Sequence, residues 1–170
     1  MTKQFNTGET QETLRQDYNP DGSVLRRAQM RMLDMAIYLQ ETAKKIGIPL
    51  RLDGGNVLGA LRHGGFIPWD DDIDMVVNQK DFKRLCDYLK AHPHPHYVLQ
   101  DNSTDRGFYK EWACLRDLRT ENRSHETSES ENRRIHEAQK YRGLHVDIFP
   151  YEGNMIPWLQ HFAAKLSVNV

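Results

Sequence analysis

The residues of this chain best placed to do chemistry are the aspartates of one short run, Asp70-Asp71-Asp72-Ile73-Asp74. Residues 70–77 read as a strand, and Ile73 with Val76-Val77 marks it as half-buried. Side chains alternate faces along a strand. Asp70, Asp72 and Asp74 would then share one face, with Asp71, Ile73 and Met75 on the other. Three like charges on one face of a half-buried strand repel one another and are costly to desolvate. A hard divalent cation with oxygen ligands removes that cost, and Mg²⁺ or Mn²⁺ is the natural candidate. The competing reading is an acidic turn on a solvated surface. Pro68-Trp69 on one side and Met75-Val76-Val77 on the other favour the metal. An EF-hand calcium loop does not fit, because its glycine and twelfth-position glutamate are missing.

Upstream, Asp53-Gly54-Gly55 breaks a short strand and Asn56 opens a short helix. Two glycines at such a turn let the backbone approach a phosphate closely, with helix-start N–H groups facing the anion. A tight turn with no ligand is the plainer alternative. Arg62, at the end of the short helix, either adds charge to the same phosphates or is a solvated helix-end arginine. The phosphate-binding set is thus Gly54, Gly55, Asn56 and Arg62. A third carboxylate should come from another strand. Asp147, in Leu144-His145-Val146-Asp147-Ile148-Phe149-Pro150, is the strong candidate. A lone Asp among alternating apolar residues needs a partner. It is either a third metal ligand or the general base for an attacking hydroxyl. Its plain alternative is an Asp held by backbone donors at a strand end. The catalytic and metal set is Asp72, Asp74 and Asp147, with Asp70 as a further possible ligand.

These residues need a scaffold. Residues 1–17 are polar and aperiodic and read as a flexible end. Residues 24–46 carry Leu25, Ala28, Met32, Ala36, Leu39, Ala43 and Ile46 at helical steps, with Ser23 or Asp21 as cap and Gly47 as stop. Met30, Met32 and Met35 belong to the core and rim of that helix. Residues 49–52 read as a strand, 56–62 as a short helix and 79–91 as an amphipathic helix. Strands follow at 97–100, 108–118 and 143–150, and a last helix at 156–166. Residues 119–142 are charged and poor in large apolar residues, the composition of a mobile loop. His92, His94 and His96 alternate with proline and read as a solvated spacer. Residues 18–170 form one domain of the α+β class, a small mixed sheet flanked by helices.

Composition narrows the function. The 23 Lys and Arg residues balance 24 Asp and Glu, a net charge of -1. A protein that grips nucleic acid through its phosphates shows a basic excess, so no nucleic-acid partner is expected. Cys86 and Cys114 stand far apart and read as buried thiols in a reducing compartment. The first residues lack the apolar stretch of a secretory signal, and no run approaches a membrane span. A cytoplasmic location follows as the expectation.

Three blocks in order resemble the LicD family, which includes bacterial phosphocholine transferases and fukutin-related proteins. "DYNPDGSVLRRAQMRML" resembles the family's N-terminal segment. "LDGGNVLGALRHGGFIPWDDDIDMVV" is similar to its central signature, and "YRGLHVDIFPYEG" to its later acidic block. The resemblance implies a nucleotidyltransferase fold and a metal-dependent transfer. A phosphoalcohol group such as phosphocholine or ribitol phosphate would move from a CDP-alcohol to a glycan hydroxyl, releasing CMP. The implied acceptor is a cell-surface polysaccharide such as lipopolysaccharide or teichoic acid, lipid-linked at the inner membrane face. In this frame Gly54 and Gly55 match the turn at the donor phosphates, and Arg62 the arginine after the short helix. Asp72 and Asp74 match the metal pair, Asp147 the third acid, and Asp70 a further position. Relatives often carry a lysine where this chain has Cys114, a charge that Arg116 or Lys110 would replace. Relatives commonly continue past the later block with a helical part, whereas this chain stops soon after Pro150. Two other readings share the same residues. One is a minimal nucleotidyltransferase using an NTP. The other is a non-catalytic, truncated nucleotide-binding domain completed by a partner chain. The apolar residues of 155–170 would close the core or form a homodimer face.

Overall fold

The computed structural model describes residues 10–122, 133–134 and 137–152. Its scaffold begins with two helices, α1 (Gln11–Tyr18) and α2 (Val24–Lys45). The Ser23 hydroxyl accepts the Arg26 N–H and so caps α2. Met32, Met35, Ala36, Leu39 and Ala43 form its buried stripe, while Met30 stays exposed. After Gly47 the chain enters β1 (Leu50–Leu52), then α3 (Gly54–Leu58), which runs into a π-helical turn, Gly59–His63. A Cβ on Gly59 would lie 2.5 Å from the Gly65 carbonyl oxygen, so this turn closes only on glycine. β2 (Asp74–Asn78), α4 (Gln79–Ala91), β3 (Tyr97–Gln100), β4 (Ala113–Asp117) and β5 (His145–Tyr151) complete the described elements.

The five strands form one mixed sheet in the order β1-β2-β5-β4-β3. β2 and β5 run parallel at its centre, and the other three pairings are antiparallel. The class is α+β, as the residue pattern predicts. Strand alternation then gives the two faces opposite characters. Met75, Val77, Leu99, Ala113, Leu115, Val146 and Ile148 join the core with α2 and with Leu85, Cys86 and Leu89 of α4. Asp74, Asp147, Cys114, Arg116 and Gln100 fall on the opposite alternation. The helices therefore bury one face, and the other is left for polar chemistry.

Three expectations change. The strand expected over 70–77 starts only at Asp74. Carbonyls ahead of it are taken by side chains rather than a neighbouring strand: Gln29 Nε2 donates to the Asp70 oxygen at 2.7 Å and Asn56 Nδ2 to the Asp72 oxygen at 3.1 Å. Asp70, Asp71 and Asp72 thus lie on an irregular lead-in, and strand alternation does not order them. The strand expected from residue 108 begins at Ala113, because a turn at Asp105–Phe108 precedes it. The N-terminal end read as flexible contains α1, whose start is closed by reciprocal hydrogen bonds between Thr10 and Thr13. The expected helix at 156–166, the dimer face on it and half of the loop at 119–142 lie outside the described residues. Cys86 and Cys114 are free and buried, and burial pushes each thiol up to about 12. His92 stacks on Tyr88 and His94 on Tyr97, so the histidine spacer is tied to aromatic neighbours.

Candidate active site

The site grows from the junction of β1, α3 and β2. Asp53 donates its N–H to the Asp74 carbonyl at 3.0 Å, joining the end of β1 to the start of β2. Gly54 follows at φ +53°, a conformation that favours glycine. A Cβ on Gly54 would stand 3.4 Å from Asp74 Oδ2, and one on Gly55 3.2 Å from Asp70 Oδ2. The glycine turn therefore lies directly against two of the carboxylates. Asn56 is buried beneath it. Its amide donates to the Asp72 carbonyl and accepts the Asp74 N–H, clamping the acidic lead-in on both sides of Ile73.

The carboxylates converge in two groups. Oxygens of Asp70, Asp71 and Asp72 lie within 4.8 Å of one another. Asp74 and Asp147 are Cα partners on the parallel strands β2 and β5, and the Asp147 N–H donates to the Ile73 oxygen at 3.0 Å. Electrostatics couples the groups. Burial, followed by the charges of Asp72, Asp147 and Asp53, pushes the Asp74 carboxyl up to about 6. Burial, then Asp72 and Asp71, also raises Asp70, whose Oδ2 is buried without a hydrogen-bond partner. An all-oxygen donor set, an orphaned buried carboxylate oxygen and mutual repulsion fit a hard divalent cation.

Asp147 has cationic company. Lys110 Nζ donates to both of its oxygens, at 2.8 and 3.1 Å, and lies 3.1 Å from His145 Nε2. On the other side of that ring, Arg116 stands 3.0 Å from His145 Nδ1 and donates to the Gly143 carbonyl. Burial, then the charges of Arg116 and Lys110, pulls His145 well below its ordinary pKa. Each ring nitrogen faces a cationic donor, Arg116 at Nδ1 and Lys110 at Nε2. Cys114, Cα partner of Asp147 across β4, is fully buried and faces Gln100.

The structure thus gathers Gly54, Gly55, Asn56, Asp70, Asp72, Asp74 and Asp147 around the start of β2 and the facing part of β5. Arg62 sits exposed on the π-helical turn, and its charge helps to lower the neighbouring His63 after burial has done so. Sequence reasoning gave Asp53 no chemical role and gave Lys110 only a conditional one. The signal for Lys110 was Asp147 itself, since a buried carboxylate between apolar neighbours calls for a cation.

Comparison with known proteins agrees with this geometry. Residues 47–166 match the family model described as "LicD/FKTN/FKRP, nucleotidyltransferase domain". The chain is similar to the lipopolysaccharide cholinephosphotransferase LicD of Haemophilus influenzae, 31% identical over 131 residues, covering 76% of this chain and 44% of that protein. It is also similar to the ribitol 5-phosphate transferase FKRP of Mus musculus, 32% identical over 135 residues (72% of this chain, 23% of the relative). The human FKRP is 31% identical over the same length. The chain therefore spans less than half the length of these curated relatives. Among the described residues, no helix is long and apolar enough to cross a membrane. With the family model covering most of the chain and its match running through both acidic strands, the chain belongs to the LicD/FKTN/FKRP nucleotidyltransferase-domain family.

Proposed function

We propose that this domain transfers a phosphoalcohol group from a CDP-alcohol to a glycan hydroxyl, releasing CMP. One observation carries the reading: Asp74 and Asp147 pair across the parallel strands while the Gly54-Gly55 turn lies against Asp74 and Asp70. That arrangement offers carboxylates and close backbone approach at one place, which phosphoryl transfer requires. The names of the relatives, a cholinephosphotransferase and a ribitol 5-phosphate transferase, support the reaction class.

Asp72, Asp74 and Asp147, with Asp70 beside them, would hold Mg²⁺ or Mn²⁺. When bound, that ion neutralises charge on the transferred phosphoryl group. The chain's own residues do the rest. Gly54 and Gly55 keep the surface low so that donor phosphates can approach the carboxylates. Asn56 fixes the spacing of Asp72 and Asp74 through their backbone. Asp147, if not a ligand in the loaded site, is placed to accept the proton of the attacking hydroxyl. Arg62 extends the phosphate-binding side. The acceptor would be a cell-surface glycan, lipid-linked at the cytoplasmic face of the membrane.

The family's description as a nucleotidyltransferase domain favours one second reading, NMP transfer from an NTP. The released product separates the two. Incubation with a glycan acceptor, Mn²⁺ and CDP-choline, CDP-ribitol, CDP-glycerol or CDP-ethanolamine should release CMP from one donor. Pyrophosphate from an NTP, with no CMP from any donor, would favour the second reading.

A further inference from the structure

Lys110 sits on the segment leading into β4, and its side chain is only 13% exposed. Its ammonium takes both oxygens of Asp147. Asp147 is itself the Cα partner of Asp74, so the pair stands at the centre of the acidic site. The same ammonium also lies 3.1 Å from His145 Nε2. The Trp112 ring, 5.3 Å away, adds a weak cation–π contact. Lysine is a point charge on a flexible four-carbon stem, able to swing out of such a pair.

We propose that Lys110 is a built-in counter-ion that competes with the divalent cation for Asp147 and so sets the site's metal affinity. The inference rests on the metal-dependent reading above. With both oxygens engaged, Lys110 must release at least one before Asp147 can ligate a cation. With no cation on Asp147 it supplies the positive charge and keeps buried like charges from destabilising the fold.

The test is Mn²⁺ binding by calorimetry on the whole chain, with circular dichroism confirming the fold. Lys110→Gln should bind Mn²⁺ about tenfold more tightly, the effect expected of one charge-assisted ion pair removed. Lys140→Gln removes the same unit charge where the ammonium lies over Tyr141 rather than at Asp147, and should leave the affinity unchanged. Lys110→Arg, which keeps the pairing, should bind no more tightly than wild type, and this holds the test open if the glutamine variant fails to fold. Unchanged or weaker binding by folded Lys110→Gln, or tighter binding by Lys110→Arg, overturns the proposal while leaving the metal site standing. A folded wild-type chain that binds no Mn²⁺ removes the metal reading and this inference with it.

Discussion

Asp74 opens β2 and is the Cα partner of Asp147 on the parallel strand β5. Parallel neighbours in register present their side chains on the same face, one strand spacing apart. Two carboxylates so placed, on the face opposite α2 and α4, repel each other unless a cation lies between or beside them. The parallel pairing at the sheet centre is thus what turns two distant sequence motifs into one site.

This repulsion makes a prediction about stability. The Asp74 carboxyl is pushed up to about 6 from an ordinary 3.8. The folded state holds that proton more tightly than the unfolded chain does. The favourable contribution is therefore complete below about pH 3.8 and is lost as the pH rises through about 6. In EDTA at pH 8, Asp74→Asn should raise Tm by about 2–4 °C, the shift that about 1 kcal/mol makes at this chain length. The figure is modest because solvent screens the half-buried site. The gain should vanish at pH 4. Thermal melts at both pH values check this, and a lower Tm for the variant at pH 8 would contradict it.

Asn56 makes the second prediction. It satisfies the Asp72 carbonyl and the Asp74 N–H at once. Asn56→Ala strips both partners and should cost about 1–3 kcal/mol in urea unfolding. Asn56→Asp should cost more, since it aims an acceptor at a carbonyl and adds a further negative charge near Asp72 and Asp74. Equal stability of the two variants would show that the clamp does not depend on the amide's donor.

Much of this was legible in the residues. The apolar stripe and Ser23 cap located α2, and the periodicity of residues 79–91 located α4. Asp147 stood out because it interrupts an apolar alternation, and Gly54-Gly55 because a glycine pair ends a strand. The lead-in at Asp70–Asp72 was misread as strand for a physical reason. Apolar alternation marks where a strand fits, but here Gln29 and Asn56 claim the backbone oxygens from afar in sequence. Tertiary hydrogen bonds of that kind leave no local signal. Lys110 falls inside the strand expected over 108–118, which gives it no distinct signal, and its role is set by Asp147, 37 positions away. α1 was missed because its capping box closes through Thr13 rather than the usual glutamate.

A third prediction concerns the far end of β4. Burial alone would raise the Asp117 carboxyl, but hydrogen bonds from Arg119 and the charges of Arg119 and Arg31 outweigh it and hold the group below its ordinary value. Arg31 reaches it from α2 at 2.8 Å, tying helix to sheet. A depressed carboxyl contributes stability above its unfolded pKa and loses it as the pH falls through the folded one. Asp117→Asn should therefore cost about 2 kcal/mol at pH 7. The difference from wild type should shrink as the pH drops below about 3.8. Urea titrations across pH 3–7 read it directly, and a pH-independent difference would show that packing, not charge, holds this corner.

The central claim is that the β2 and β5 carboxylates perform phosphoalcohol transfer. The most direct measurement is CMP release from the active CDP-alcohol in the presence of Mn²⁺ and a glycan acceptor. Wild type would be compared with Asp74→Asn at a temperature where both are folded. The account predicts turnover that needs the metal and a loss of about 10²–10³-fold in the variant, the scale of losing one preorganised charge-stabilising group. Wild-type rates from the folded Asp74→Asn variant would contradict it.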